Sequence, residues 1–167
     1  DKLAGSEDRY LVPVAESGEG PLFLALNRNK MSLTLNPMKP EGREVVRRLV
    51  ETADVVIANL PQPTLEAMGI DYDSLKAIKP DIILTTVTAY GNGGPYSERV
   101  GFDGVAQALA GATYMGGHPG DPMKSFVPFA DFGTATMAAF GTMSALLDRE
   151  KTGKGQLVAV SYTHLRA

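Results

Sequence analysis

The sequence predicts an α/β domain in which helices cover a parallel sheet. Short β-branched runs at 54–59, 81–87 and 156–161 are typical of buried parallel strands. Segments whose apolar residues have helical spacing lie between these runs, and the connections are short. Strands that alternate with helices in this way are expected to run parallel in one sheet.

The first elements follow in order along the chain. Residues 1–22 are polar and aperiodic and predict a loop. Residues 32–35 alternate polar with apolar side chains and predict a short strand. Pro40 begins a predicted helix, because proline and an acid occupy its first turn and apolar residues continue at helical spacing to Ala53.

The later elements repeat the same alternation. Residues 71–78 predict a short helix, and a glycine loop at 90–95 follows the second strand. Residues 103–112 predict another helix. Asp131 precedes a long helix of small and apolar residues that ends near Arg149.

The composition excludes several classes of function. The 167 residues include no Cys and two His, which excludes disulfides and thiolate nucleophiles and disfavours a structural metal site. Sixteen basic and 19 acidic residues give a net charge of −3, so no nucleic-acid or membrane partner is expected. His118 lies in a predicted flexible loop at 116–120. Neither it nor His164 has a Ser or Asp partner at a recognisable spacing, so a Ser/His/Asp triad is not supported.

Two stretches lie where open parallel sheets bind ligands, beyond the carboxyl ends of the strands. Residues 59–61 follow the first buried strand and 90–94 follow the second. A glycine loop lets a ligand approach backbone N–H groups, although such loops are also ordinary turns. Neither a Walker A spacing nor GxGxxG occurs, so a phosphate or dinucleotide fingerprint is absent.

Asp131 is the most suggestive carboxylate in the chain. It follows an apolar stretch at 126–130 and stands at a predicted helix start. A carboxylate there can accept backbone N–H bonds and interact with the helix dipole. The residues by themselves leave two interpretations open, a helix N-cap and a partly enclosed nucleophile with room for a ligand beside Gly133.

Several stretches occur in one order between about residue 20 and residue 161. They are 27–32 (NRNKMS), 39–42 (KPEG), 53–59 (ADVVIAN), 101–103 (GFD), 107–111 (QALAG), 130–134 (ADFGT) and 152–156 (TGKGQ). In this order they resemble the class III CoA-transferases, the family of formyl-CoA and carnitine CoA-transferases and of α-methylacyl-CoA racemase.

The resemblance implies a Rossmann-like large domain with helices on both faces of the sheet, joined to a small domain in an interlocked homodimer. Residues 1–161 would form an incomplete large domain without its first strand and helix. Residues 162–167 depart from the family, and we interpret them as foreign sequence. The chain opens without Met and closes directly after a strand-like run, so we expect both ends to lie inside a longer protein. No signal segment is seen, and a cytoplasmic location is expected.

The resemblance also implies that Asp131 is a nucleophile that forms an aspartyl anhydride and then an aspartyl-CoA thioester. Asp103 matches an acidic position that supports the active site. CoA would enter as acyl-CoA, a substrate and not a permanent cofactor, and a small carboxylic acid would accept it. No metal is implied.

Four further positions match the CoA-binding region of the family. Leu35, Asn59 and Leu60 match residues that line the CoA pocket, and Lys39 stands one place from a lysine of the family. Basic contacts to the CoA phosphates are fewer than the family usually has.

Two alternatives to a CoA-transferase remain. The racemase has a His immediately before the residue that matches Asp103, and here that residue is Phe102, which cannot carry a proton. Transferase is therefore favoured over 2-methylacyl-CoA racemase. The other alternative is a non-catalytic CoA-binding fragment.

Overall fold

A computed structural model describes residues 3–11, 15–16 and 18–165. The chain divides into two compact units, residues 1–45 and residues 46–167. The boundary falls within helix α2 (Pro40–Thr52), so this helix belongs partly to each unit.

The first unit contains a 3-10 turn at Glu7–Tyr10 and helix α1 (Pro21–Leu26). The guanidinium of Arg9 lies 4.2 Å from the centre of the Phe23 ring, which joins these elements. The loop prediction for 1–22 is thus wrong where these elements form. The strand prediction at 32–35 is also wrong, since neither sheet includes it. A short alternation describes side chains only, whereas a strand also requires a neighbour for its backbone hydrogen bonds.

The second unit is built on a three-stranded parallel sheet. The strands of the unit, in chain order, are β1 (Val55–Ala58), β2 (Ile83–Thr88), β3 (Gly117–His118), β4 (Asp121–Pro122) and β5 (Leu157–Ser161). The order in the parallel sheet is β1-β2-β5, while β3 and β4 form a separate antiparallel hairpin. The predicted strands at 54–59, 81–87 and 156–161 are therefore confirmed.

The remaining helices are α3 (Gln62–Met68), α4 (Tyr72–Ile78), α5 (Asp103–Leu109), α6 (Ala112–Met115) and α7 (Phe129–Thr152). Leu84 of β2 packs in a core cluster with Val50 of α2 and Leu75 of α4. The next residue, Thr85, forms a 2.6 Å hydrogen bond with Thr142 of α7. Because successive residues of a strand point to opposite faces, α2 and α4 cover one face of the sheet and α7 covers the other. This arrangement confirms the α/β fold class.

Several details differ from the sequence prediction. Helix α3 was not expected, and the helix predicted at 103–112 ends at Leu109. The loop predicted at 116–120 contains β3 and the turn that leads to β4. Gly117 has a φ of +87°, a conformation that glycine adopts readily and that a periodicity pattern does not reveal. No helix among the described residues combines the length and apolar character that crossing a bilayer requires.

Candidate active site

The nucleophile candidate lies inside α7 and not in front of it. The helix begins at Phe129, so Asp131 is the third residue of its first turn, and Pro128 takes the N-cap position without a side-chain hydrogen bond. The N-cap interpretation of Asp131 is therefore wrong. Its backbone N–H points to a carboxylate from another helix, which the local sequence pattern could not show.

That carboxylate is Asp103, the first residue of α5. Its Oδ1 accepts hydrogen bonds from the backbone N–H of Ala130 at 2.9 Å and of Asp131 at 3.3 Å. Asp103 is 7% exposed, so it is shielded from water. It occupies the role of a helix cap, because the first N–H groups of α7 have no partner within the helix.

The carboxylate of Asp131 is left accessible by this arrangement. The residue is exposed, and its Oδ1 accepts a hydrogen bond from the hydroxyl of Tyr162. Within residues 3–11, 15–16 and 18–165, its Oδ2 has no hydrogen-bond partner. Burial, and then the hydrogen bond to Asp131 and the charges of Asp131 and Asp103, raise the pKa of Tyr162 far above its usual value. The phenol therefore stays a donor.

A cavity of about 510 Å³ opens beside Asp131. Its walls come from the end of β1 and the residues after it, the end of β2 and the residue after it, the loop before α5, the first turns of α7 and the residue after β5. The lining residues are Ile57, Asn59, Leu60, Pro61, Val87, Thr88, Ala89, Ser97, Arg99, Val100, Gly101, Phe102, Asp131, Ala135 and Tyr162. It therefore lies at the carboxyl edge of the parallel sheet, where α/β folds bind ligands.

The cavity has an apolar wall and two charged side chains of opposite sign. Arg99 is the one cation and Asp131 the one carboxylate in its lining among the described residues. The guanidinium of Arg99 lies 4.4 Å from the centre of the Tyr96 ring, and it has no ion-pair partner in the described part of the chain. Such an arrangement can hold an anionic group of a ligand while leaving Asp131 free to react.

The sequence-predicted site residues fall into two groups. Asn59, Leu60 and Asp131 line one cavity, and Asp103 binds the backbone next to Asp131. Leu35 and Lys39 belong to the first unit, where Leu35 is half-buried and Lys39 is exposed.

Gly133 does not leave the space that the sequence suggested. A Cβ added there would lie 2.8 Å from Cδ1 of Leu165, so this side chain already fills the position beside the glycine. Leu165 belongs to the C-terminal residues interpreted as foreign, of which 166–167 lie outside the described residues.

The sequence prediction assigned no role to two residues of the site. Gln107 is 1% exposed and contacts Asp103, and Arg99 provides the cation of the cavity. The spacing of Asp103 and Gln107 places both on one helix face, which was the available signal for this pair. No group of three or more His, Asp or Glu among the described residues is arranged to hold a metal ion.

Residues 1–165 match the sequence model of CoA-transferase family III. The chain belongs to this family, and the resemblance drawn from its motifs is confirmed. It is 35% identical over 156 residues to succinyl-CoA:glutarate CoA-transferase of Homo sapiens, covering 93% of this chain and 36% of that protein. It is 39% identical over 152 residues to the succinyl-CoA–L-malate CoA-transferase beta subunit of Chloroflexus aurantiacus, covering 90% and 37%.

A solved structure supports the same assignment. The crystal structure of a CAIB/BAIF family protein from Brucella suis superposes with a TM-score of 0.90 at 40% identity, covering 97% of this chain and 44% of that one. The chain thus spans less than half the length of that structure and about a third of the curated relatives.

Proposed function

We propose that this chain is part of an enzyme that transfers CoA from an acyl-CoA donor to a carboxylic acid, with Asp131 as the nucleophile. The observation that carries the proposal is the accessible carboxylate of Asp131 in a cavity at the carboxyl edge of the sheet. Asp103 takes over the capping of α7, so an oxygen of Asp131 remains available to attack.

The proposed reaction splits one exchange into steps through Asp131. A carboxylate oxygen of Asp131 attacks the thioester carbon and the C–S bond breaks. CoA leaves as a thiolate, and the acyl group remains on Asp131 as a mixed anhydride. The thiolate then attacks the aspartyl carbonyl and expels the donor acid, which leaves an aspartyl-CoA thioester. The acceptor carboxylate then attacks the aspartyl-CoA thioester, which releases the CoA thiolate and forms a second anhydride. The thiolate attacks the acceptor's acyl carbon, so the new acyl-CoA departs and the carboxylate of Asp131 is regenerated.

Asn59 and Leu60 are proposed to contact CoA, since both line the cavity that contains Asp131. The same role for Leu35 and Lys39 rests on the family resemblance. CoA is a substrate in this scheme, and the reacting groups are a thioester, a carboxylate and Asp131.

Dicarboxylic acids are the substrate class that the cavity favours. The two relatives described above are named for succinyl-CoA with glutarate or L-malate, and each of these acids has a free carboxylate besides the carboxyl group that is linked to CoA. The guanidinium of Arg99, which has no ion-pair partner among the described residues, is a suitable partner for that second group.

The nucleophile is tested in the complete protein with succinyl-CoA. Intact mass spectrometry should detect a covalent adduct that hydroxylamine removes, and peptide mapping should locate it at Asp131. Asp131→Ala should abolish both the adduct and CoA transfer. Asp73→Asn, which changes an exposed aspartate of α4, should leave both intact. CoA transfer retained by Asp131→Ala would refute the mechanism.

The racemase alternative is disfavoured by Phe102, which lines the cavity with 75% of its surface exposed and offers no second base. Deuterium from solvent entering the α-carbon of a 2-methylacyl-CoA would favour the racemase instead. A complete protein that binds CoA without transfer or exchange would favour the non-catalytic alternative.

The organisation of the whole protein follows from the same proposal. Residues 1–161 represent part of the large domain, and 162–167 form a tail that departs from the usual family sequence, although the family model extends to residue 165. The complete protein is an interlocked homodimer in the cytoplasm. These statements rest on the resemblance and on the share of the relatives that the chain covers.

A further inference from the structure

Gln107 is a buried amide that connects α5 to the segment before α7. Its Oε1 accepts a 2.7 Å hydrogen bond from the backbone N–H of Ser125. Its Nε2 donates to Oδ2 of Asp103 at 2.5 Å and lies 3.5 Å and 3.4 Å from the carbonyl oxygens of Ser125 and Val127. Only one orientation of the amide satisfies both the Ser125 donor and the Asp103 acceptor, so Gln107 is held in a single state.

The same carboxylate that Gln107 holds also determines where α7 begins. Asp103 uses Oδ2 for Gln107 and Oδ1 for the N–H groups of Ala130 and Asp131. No cation joins this cluster in the described part of the chain. The carboxylate is stabilised by these donors and by the positive end of a 24-residue helix.

A continuous chain of hydrogen bonds therefore runs from Gln107 through Asp103 to the backbone of Asp131. Gln107 is 1% exposed and is not among the residues that line the cavity, so it can act on the site only through its neighbours. A buried polar group without its partner costs free energy, so the cluster resists other arrangements. Small displacements of a reacting group have large effects on rate.

We propose that Gln107 is a positioning residue for the nucleophile, acting through Asp103 on the first turn of α7. This inference rests on the proposed function of Asp131. It predicts that Gln107 sets the placement of the carboxylate and not the affinity for CoA. The turnover number should therefore respond to its loss, while KM for the acyl-CoA donor should not.

The test uses single and double variants of the complete protein. Gln107→Leu removes both hydrogen-bonding functions, and Gln107→Glu sets a second carboxylate against Asp103. Asp103→Asn keeps an oxygen for Ala130 but turns an NH₂ group toward the NH₂ of Gln107. We expect each single change to lower kcat about tenfold to a hundredfold at unchanged KM for the donor.

The double variant Asp103→Asn with Gln107→Glu should recover most of that loss. The introduced asparagine would donate to the introduced glutamate and still accept from Ala130, and the glutamate would accept from Ser125. Such rescue shows that the two side chains act as a coupled pair, because two independent damages would add. The unchanged KM beside a lowered kcat then distinguishes positioning from a general loss of stability. Gln156→Leu is the matched control, since Gln156 also donates to an aspartate, Asp148, outside the cavity lining.

Hydrogen exchange provides a readout that does not depend on activity. Gln107→Leu should speed exchange of the amides of Ala130 and Asp131, and the double variant should slow it again. If Gln107→Leu changes neither this exchange nor kcat more than Gln156→Leu does, the inference is overturned. If the wild-type protein forms no adduct and transfers no CoA, the proposed function fails, and the exchange result still decides the link between Gln107 and α7.

Discussion

Asp103, the first residue of α5, and Asp131, in the first turn of α7, have different surroundings and, in our proposal, different tasks. Asp103 is buried and uses both oxygens for backbone and amide donors. Asp131 faces the cavity and retains an oxygen without a partner among the described residues. One carboxylate holds the helix start, and the other is free for chemistry. The surroundings assign these tasks, since the side chains are chemically identical.

At the scale of single residues, Arg99 also provides a test of the proposed substrate class. Arg99→Gln removes the cation of the cavity. We expect kcat/KM for succinyl-CoA to fall about tenfold to a hundredfold, since hydrogen bonds to charged groups are worth about 1.5–3 kcal/mol. Butanoyl-CoA, which lacks the distal carboxylate, should lose much less. Steady-state kinetics with both donors measure the difference.

Arg47→Gln is the control for this substitution, because Arg47 pairs with Glu51 on α2. It should affect neither donor. An equal loss for both donors with Arg99→Gln would contradict the prediction and would assign Arg99 to the CoA moiety that they share.

At the scale of elements, α4 and α7 begin with two kinds of cap. The cap of α4 is local, since Asp71 accepts from the backbone N–H of Ser74 at 3.1 Å and from its hydroxyl at 2.6 Å. The cap of α7 comes from Asp103, 28 residues before Asp131 in the chain. The start of α4 was accordingly predictable from neighbouring residues, whereas the start of α7 depended on tertiary contacts.

The local cap of α4 yields a prediction for stability and its pH dependence. Burial opposes the ionised form of Asp71, but hydrogen bonds from Ser74 and from the backbone of Asp71 and Asp73 together outweigh it and hold the pKa of the carboxyl below its usual value. Asp71→Ala should cost about 1 kcal/mol near neutral pH. Because the folded-state pKa is lowered, this contribution is present above the unfolded pKa and is lost as the pH falls through the folded pKa.

Urea unfolding of the complete protein at a series of pH values measures this effect. The free-energy difference between the wild type and Asp71→Ala should shrink below about pH 4. A difference that stays constant down to about pH 2 would show that ionised Asp71 does not contribute.

At the scale of the whole molecule, the chain leaves much apolar surface uncovered. Side chains on α7 that are 43% to 73% exposed are Phe132, Met137, Phe140, Met143 and Leu147. Strands β1 and β5 are the outer strands of the parallel sheet. Contiguous apolar surface and open strand edges favour association and reduce the stability of a domain by itself.

We therefore expect the 167-residue chain, expressed alone, to be poorly soluble or to lack fixed tertiary packing. Calorimetry should show no sharp unfolding transition, and a dye that binds exposed apolar surface should fluoresce with it. The complete protein, measured in the same buffer, is the control. A sharp cooperative transition of the isolated chain would contradict this expectation.

The sequence by itself determined the parallel β-α alternation, the family and the candidate Asp131. These depend on local runs of side chains and on the order of motifs, both of which are readable along the chain. It did not reveal α3, the β3–β4 hairpin or the failure of 32–35 to form a strand. Short segments carry weak periodicity, and a strand depends on partners that local patterns do not specify.

Only the tertiary structure decided how the candidate site is held. It brought Asn59, Leu60 and Asp131 to one cavity and assigned the cap of α7 to Asp103. It also places Gln107, the first residue of the 107–111 stretch, at a buried position where its side chain has four polar contacts. Hydrogen bonds between residues distant in the chain form only when folding brings them together. For this reason the sequence could nominate Asp131 only as a candidate, while the folded chain shows that Asp103 caps α7 and that Oδ2 of Asp131 has no hydrogen-bond partner among the described residues.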